Sequence, residues 1–307
     1  MTTAEMLQLE NFESVKRWET RLNRKSGSPN TRDAFFGWLS QFCTFVNLDP
    51  DQLISERQDD LKSEDVFVKK RAEDRLDRWF SELEKQEYAR NTCVQAYASV
   101  RSFYKANHLP LEVGEPVQRW PVKEQREFTR EHLRQLLDAS KKDKQRTVIM
   151  CEAQSGLGVS DLLGIIYGQV RPQLDEGKDH IHLRLLRGKE KQIGYFDTFF
   201  GAQAVDYLRK YIESRKGLRD EDRLFQISPR GYNKVLETLS KRAKLPFIVS
   251  THLLRKFFNT YMKLGANETY VEYWMGHSLS GVRGEYLNAS PAVQLEKYKQ
   301  AEPNITV

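Results

Sequence analysis

The chain has 307 residues, 39% of them hydrophobic and 30% charged, which is enough apolar material for two ordinary domains beneath a well-solvated surface. It contains no run of about 18 apolar residues, and its start, "MTTAEMLQLENFE", lacks the basic-then-apolar order of a secretion signal, so no membrane association is expected. A net charge of +6 permits binding to a polyanion without demanding it.

The first hundred residues read as a bundle of about four helices. "FESVKRWETRL" puts Phe12, Val15, Trp18 and Leu22 on one face. In "SGSPNTRDAFFGWLSQFCTFV" a turn precedes an amphipathic helix that Asn30 is placed to cap. "SEDVFVKKRAEDRLDRWFSELE", opening on Ser63, and "NTCVQAYASVRSFYKAN" supply the rest. Three prolines and a glycine then break the pattern in "LPLEVGEPVQRWPVKEQR", where Arg119, Lys123 and Arg126 surround Trp120. That stretch reads as a linker, either a plain tether or a strap along a phosphate backbone.

Beyond it, "FTREHLRQLLDAS" is a helix with Thr129 as its cap, and "RTVIMCEAQSGLG" is a buried helix that stops at glycine. "HIHLRLLRGKEKQIGYFDTFF" changes to alternation, a Gly-Lys-Glu-Lys turn and alternation again, which predicts a β-hairpin with a basic tip. Helices resume from Gly201. The fold class is therefore mainly α with a small β-sheet. Cys43, Cys93 and Cys151 have no metal-site spacing and are expected as free thiols in a reducing cytoplasm, with no cofactor or metal.

"STHLLRKFFNTYMKLG" predicts a helix with Ser or Thr at its start, His252 and Arg255 on one face, and Phe257, Phe258 and Tyr261 toward the core. A histidine and an arginine beside the free N–H groups of a helix start form a candidate anion site. An Asn-capped helix follows in "NETYVEYWMGHSLSGVRGEY", then a Gly-His turn, then Tyr286 nine residues after His277. From this stretch alone Tyr286 is either a buried aromatic or a nucleophile. The order His-x-x-Arg, Gly-His, Tyr, after a helical bundle and a basic hairpin, resembles the tyrosine recombinase (integrase) family. The whole chain is similar to its archaeal and bacterial members with two domains.

The resemblance implies a helical core-binding domain of SAM-like type over residues 1–112, a linker over 113–127, and an α+β catalytic domain over 128–307. It also implies a cytoplasmic protein that acts on double-stranded DNA as a homo-tetramer on paired sites. Tyr286 would attack a phosphodiester and form a 3′-phosphotyrosine, which keeps the bond energy for rejoining. Attack on a phosphodiester needs its charge neutralised, its nucleophile aligned and its leaving oxygen protonated. Arg255 suits the first task through its planar, always-charged fork. His252 and His277 suit hydrogen bonding to the phosphate or transfer of the tyrosine proton. The family's hairpin lysine, the general acid, corresponds to Lys189 or Lys191, and the choice stays open.

One position departs from the family's pattern. "SGLGVSDLL" carries Asp161 in the acidic place but Gly158 where the family has its first phosphate-binding arginine. The chain would then be a weakened or inactive relative that keeps DNA binding, or an enzyme in which Arg187 or Arg146 fills the space, or one that works without it. A type IB topoisomerase-like enzyme is a further alternative. Arg283 either contacts phosphate or caps its segment, and Trp274 is expected to pack. The tail "SPAVQLEKYKQAEPNITV" reads as a short amphipathic helix with a frayed end, docked on a neighbouring protomer or on its own domain. "RLNRKSGSPNTR" and the face bearing Lys105 are the candidate phosphate contacts of the first domain.

Overall fold

The structure is a computed structural model that describes residues 9–25, 29–113, 127–186, 194–277 and 289–307. It divides into two compact units, Met1–Glu124 and Gln125–Val307.

The first unit is helical: α1 (Glu13–Lys25), α2 (Pro29–Val46), α3 (Pro50–Asp60), the single turn α4 (Val66–Lys69), α5 (Arg71–Lys85) and α6 (Arg90–Ala106). Its core is aromatic. Trp18 on α1 is fully buried, lies 5.4 Å from the Phe36 ring in a stacked arrangement, and meets Phe103 edge-on at 5.6 Å. Its indole N–H donates to Ser102 Oγ at 3.0 Å, so burial leaves no donor stranded. Two helix starts differ from the expectation. Asn30 lies inside the first turn of α2, because Pro29 already has helical geometry there. Ser63 does not open one long helix: Asp65 caps α4 by accepting from Phe67 N–H, and the chain breaks at Lys70 before α5.

The helix α3 has little apolar periodicity and is started by its ends instead. Asp49 and Gln52 form a reciprocal capping box around Pro50. Arg57 on α3 and Glu73 on α5 form a buried bidentate pair, at 2.9 and 2.7 Å. Glu73 also accepts from Glu112 N–H at 3.1 Å, which fixes the end of this unit's described chain.

The second unit is built around α8 (Asp143–Ser155), whose residues from Thr147 onward are all buried. It follows α7 (Arg130–Asp138), which Thr129 caps, and precedes α9 (Val159–Gly164) and the short α10 (Arg171–Asp175). Strands β1 (Ile181–Leu186) and β2 (Tyr195–Phe200) pair antiparallel, with Ile181 opposite Phe200 and Leu186 opposite Tyr195. The remaining helices are α11 (Ala202–Glu213), α12 (Pro229–Arg242), α13 (Thr251–Met262), α14 (Glu268–Trp274) and α15 (Pro291–Ala301). Helices α8, α14 and α15 pack against β2, so this strand is buried at every position after Tyr195 rather than alternating. With one two-stranded sheet described among these helices, the unit is mainly α with a small β-sheet.

The C-terminal tail is not frayed. Tyr298 on α15 is fully buried and donates to Gln154 O at 2.5 Å, and Ile305 is fully buried as well. Glu302 accepts from Ala202 N–H at 2.7 Å at the start of α11 and meets His180 Nε2 at 2.6 Å. Val307 exchanges backbone bonds with the Gln203 amide at 3.0 and 2.5 Å. Apolar Ile305 and these polar ties dock the tail on its own unit.

Candidate active site

Helix α13 begins at Ser250, whose hydroxyl accepts from Leu253 N–H at 3.3 Å. His252 is exposed in the first turn and Arg255 is half-buried one turn later. Leu254, Phe257 and Phe258 anchor the helix in the core, while Tyr261 is only partly buried.

Arg255 joins two turns. One terminal nitrogen donates to Gly156 O at 2.5 Å and the other to Met275 O at 2.7 Å. A guanidinium has five N–H donors, so three are left without a partner among the described residues. Burial lowers the Arg255 pKa from its ordinary value, against the opposing fields of Asp161, Glu272 and Glu152. The result is a cation held in place with donors to spare.

Both turns are geometrically constrained. Gly156 ends α8 with φ +63°, and a Cβ there would lie 2.3 Å from the Phe258 ring. Gly276 has φ +73°, and a Cβ there would lie 2.9 Å from Phe196. Gly158 is different. It caps α9 with φ −67°, and a Cβ would meet only Asp161 Oδ2, at 3.4 Å. The backbone at 158 therefore accepts a side chain.

His277 follows the second turn. Its backbone N–H donates to Glu272 O at 3.1 Å and its Nδ1 bonds the Glu272 carboxylate. The same carboxylate accepts from Lys263 Nζ at 2.8 Å and Asn259 Nδ2 at 2.9 Å. Burial alone would raise the Glu272 pKa, but its donors Lys263, His277 and Asn259 outweigh that and hold it down to about 2. Arg255, Asn259 and Lys263 recur every four residues and form one stripe along α13 and its C-cap, Lys263. The stripe ties Arg255 to the His277 turn.

Beneath Arg255 lies a second carboxyl, Glu152 on α8, which is fully buried. Oε2 accepts from the Tyr232 hydroxyl at 2.6 Å, and Oε1 has no hydrogen-bond partner among the described residues. Burial pushes its pKa up to about 8, against the pull of Tyr232 and Arg255. Folded protein thus keeps a proton that the unfolded chain releases above the ordinary value of 4.5. Stability from this group is expected to fall as pH rises from 4.5 to about 8 and to level off above that. Melting curves across this range should show a shallower decline for Glu152→Gln than for wild type.

The structure brings together Arg255 and His277 with the Gly156–Gly158 turn, and places His252 in the first turn of the helix that carries Arg255. Tyr286, Lys189, Lys191, Arg187 and Arg283 lie outside the described residues. Arg146 does not fill the space at position 158. It sits in the first turn of α8, pairs with Asp143 at 3.3 Å and reaches back to Leu137 O at 3.4 Å. A helix rises about 1.5 Å per residue, which puts Arg146 roughly 14 Å from the end where Gly156 lies. Trp274 packs, buried against Phe199 and Tyr298, with its N–H on Gln294 at 3.1 Å. Glu272, Asn259, Lys263 and Glu152 were not singled out from the sequence. The four-residue spacing from Arg255 was a legible signal for two of them.

No family model matches the chain. It is 25% identical over 276 residues to the tyrosine recombinase XerA of Saccharolobus solfataricus, an alignment covering 82% of this chain and 84% of the relative. In fold it is similar to a lambda integrase dimer bound to a COC′ core site, with TM-score 0.60 and 11% identity over 90% of this chain and 97% of that one. It is also similar to the Tn1549 transposon integrase in complex with circular intermediate DNA, with TM-score 0.57 and 15% identity over 92% and 97%.

Proposed function

We propose, for a chain that is related to the tyrosine recombinases and has their fold, that it cuts and rejoins DNA strands through Tyr286. The observation that carries this reading is the Arg255 fork, fixed by two backbone carbonyls, with three of its donors unused among the described residues. A phosphodiester at that fork would lose its charge barrier to Arg255, His252 and His277. The Tyr286 oxygen then attacks phosphorus as its proton passes to His252 or His277, the P–O bond to the 5′ oxygen breaks, and Lys189 or Lys191 gives that oxygen a proton. The 5′ hydroxyl of another strand reverses the step, so rejoining needs no nucleotide cofactor. Four copies on paired sites, assembled as a homo-tetramer in the cytoplasm, would make the exchange a recombination.

Gly158 favours a second reading, a DNA-binding protein of the same fold that has lost cleavage. The test is incubation with supercoiled DNA followed by a detergent quench. Protein-linked and relaxed DNA supports the enzyme; binding with neither supports the second reading. Recombination that requires two sites separates a recombinase from a topoisomerase-like enzyme. Because Lys and Arg contacts to phosphate release counterions, affinity for DNA is expected to fall by about 10³–10⁵ between 50 and 200 mM salt if roughly 6–10 phosphates are contacted. A flat salt titration would contradict a phosphate-tracking clamp.

A further inference from the structure

We propose that Glu272 is a positioning residue that fixes which nitrogen of His277 faces the phosphate. The proposal rests on the functional reading above and adds to it a residue outside the His-x-x-Arg, Gly-His and Tyr order. Glu272 is ionised at any working pH, because three donors converge on it. An ionised carboxylate only accepts hydrogen bonds, so the His277 Nδ1 that bonds it carries the hydrogen. The opposite nitrogen, Nε2, has no partner among the described residues. That is the nitrogen left for a phosphate oxygen or a tyrosine proton.

The carboxylate is itself held. Lys263 and Asn259 bond it from α13, and the Asn259 amide also lies 3.1 Å from Met275 Sδ. The Met275 carbonyl is one of the two acceptors that seat Arg255. Glu272 therefore sets His277 in a frame shared with Arg255. A plain surface ion pair would have one partner and no bearing on the arginine.

The test uses the full chain with nitrogen-15-labelled histidine, reading the ring nitrogens by NMR, with the His277 signals assigned by their loss in His277→Gln. Wild type is expected to carry its ring hydrogen on Nδ1. Glu272→Gln, whose amide can donate as well as accept, is expected to mix the tautomers. It should also slow adduct formation by about 10–100-fold, at unchanged DNA affinity. Glu272→Asp, which keeps the charge, should keep the Nδ1–H signature and cleave faster than Glu272→Gln, and it stands in if the glutamine variant does not fold. An Nε2–H tautomer in wild type, or unchanged cleavage in Glu272→Gln, overturns the proposal, as does Glu272→Asp losing the signature. Absence of adduct from wild type would instead overturn the functional reading, and the ring nitrogens would still decide whether Glu272 sets the tautomer.

Discussion

Arg255→Ala is expected to lower covalent adduct formation by about 10³-fold or more, since loss of a single transition-state donor costs about 10²–10³ and this fork offers several. The same change removes the donors to Gly156 O and Met275 O, so it carries a stability cost as well. Arg255→Lys separates the two effects. It keeps a positive charge but has no planar fork to join both carbonyls and a phosphate at once. The expectation is strong loss of adduct in both variants, with DNA binding retained and melting temperature lowered more by alanine. Adduct at the wild-type rate in a folded Arg255→Ala would remove this residue from the reaction.

Gly158→Arg is expected to act in the opposite direction, raising adduct formation by up to about 10²–10³-fold. The position is free to accept the change. Its φ of −67° suits any residue, and the nearest atom to an added Cβ is a carboxylate oxygen of Asp161 at 3.4 Å. Asp161 already lies in the field of Arg255, so a second guanidinium would find a counter-charge there. A folded Gly158→Arg with no gain would mean that the space is organised by other groups. Arg146 is not one of them.

Much of this architecture could be read directly. Thr129, Ser250 and Asn267 each cap the helix that follows, because a side-chain oxygen placed before an apolar period has few other uses. The hairpin showed in its switch to alternation, although β2 proved buried on both faces, since α8, α14 and α15 pack on it. Helix α3 was missed because Leu53 and Ile54 are adjacent and the rest of "PDQLISERQDD" is polar, leaving its Asp49–Gln52 box as the only sign. The tail looked frayed because Ile305 and Val307 are too few to show a period, yet Gln203 and Glu302 secure them.

The site was legible in its donors and obscure in their supports. His252, Arg255 and His277 stand out as residue types suited to a phosphate. Glu272 and Glu152 look like ordinary surface charges in the sequence. Their settings come from contacts distant in sequence, Glu272 with Asn259 13 residues away and Glu152 with Tyr232 80 away. No local pattern encodes such pairs.

The central claim is a covalent bond between DNA and Tyr286. The most direct measurement is to trap the adduct in detergent, trim the DNA with nuclease, digest the protein and weigh the peptides by mass spectrometry, with Tyr286→Phe alongside. A nucleotide remnant is expected on the peptide containing Tyr286 and none in the phenylalanine variant. A remnant on another residue, or DNA bound at its own site with no remnant at all, would contradict it.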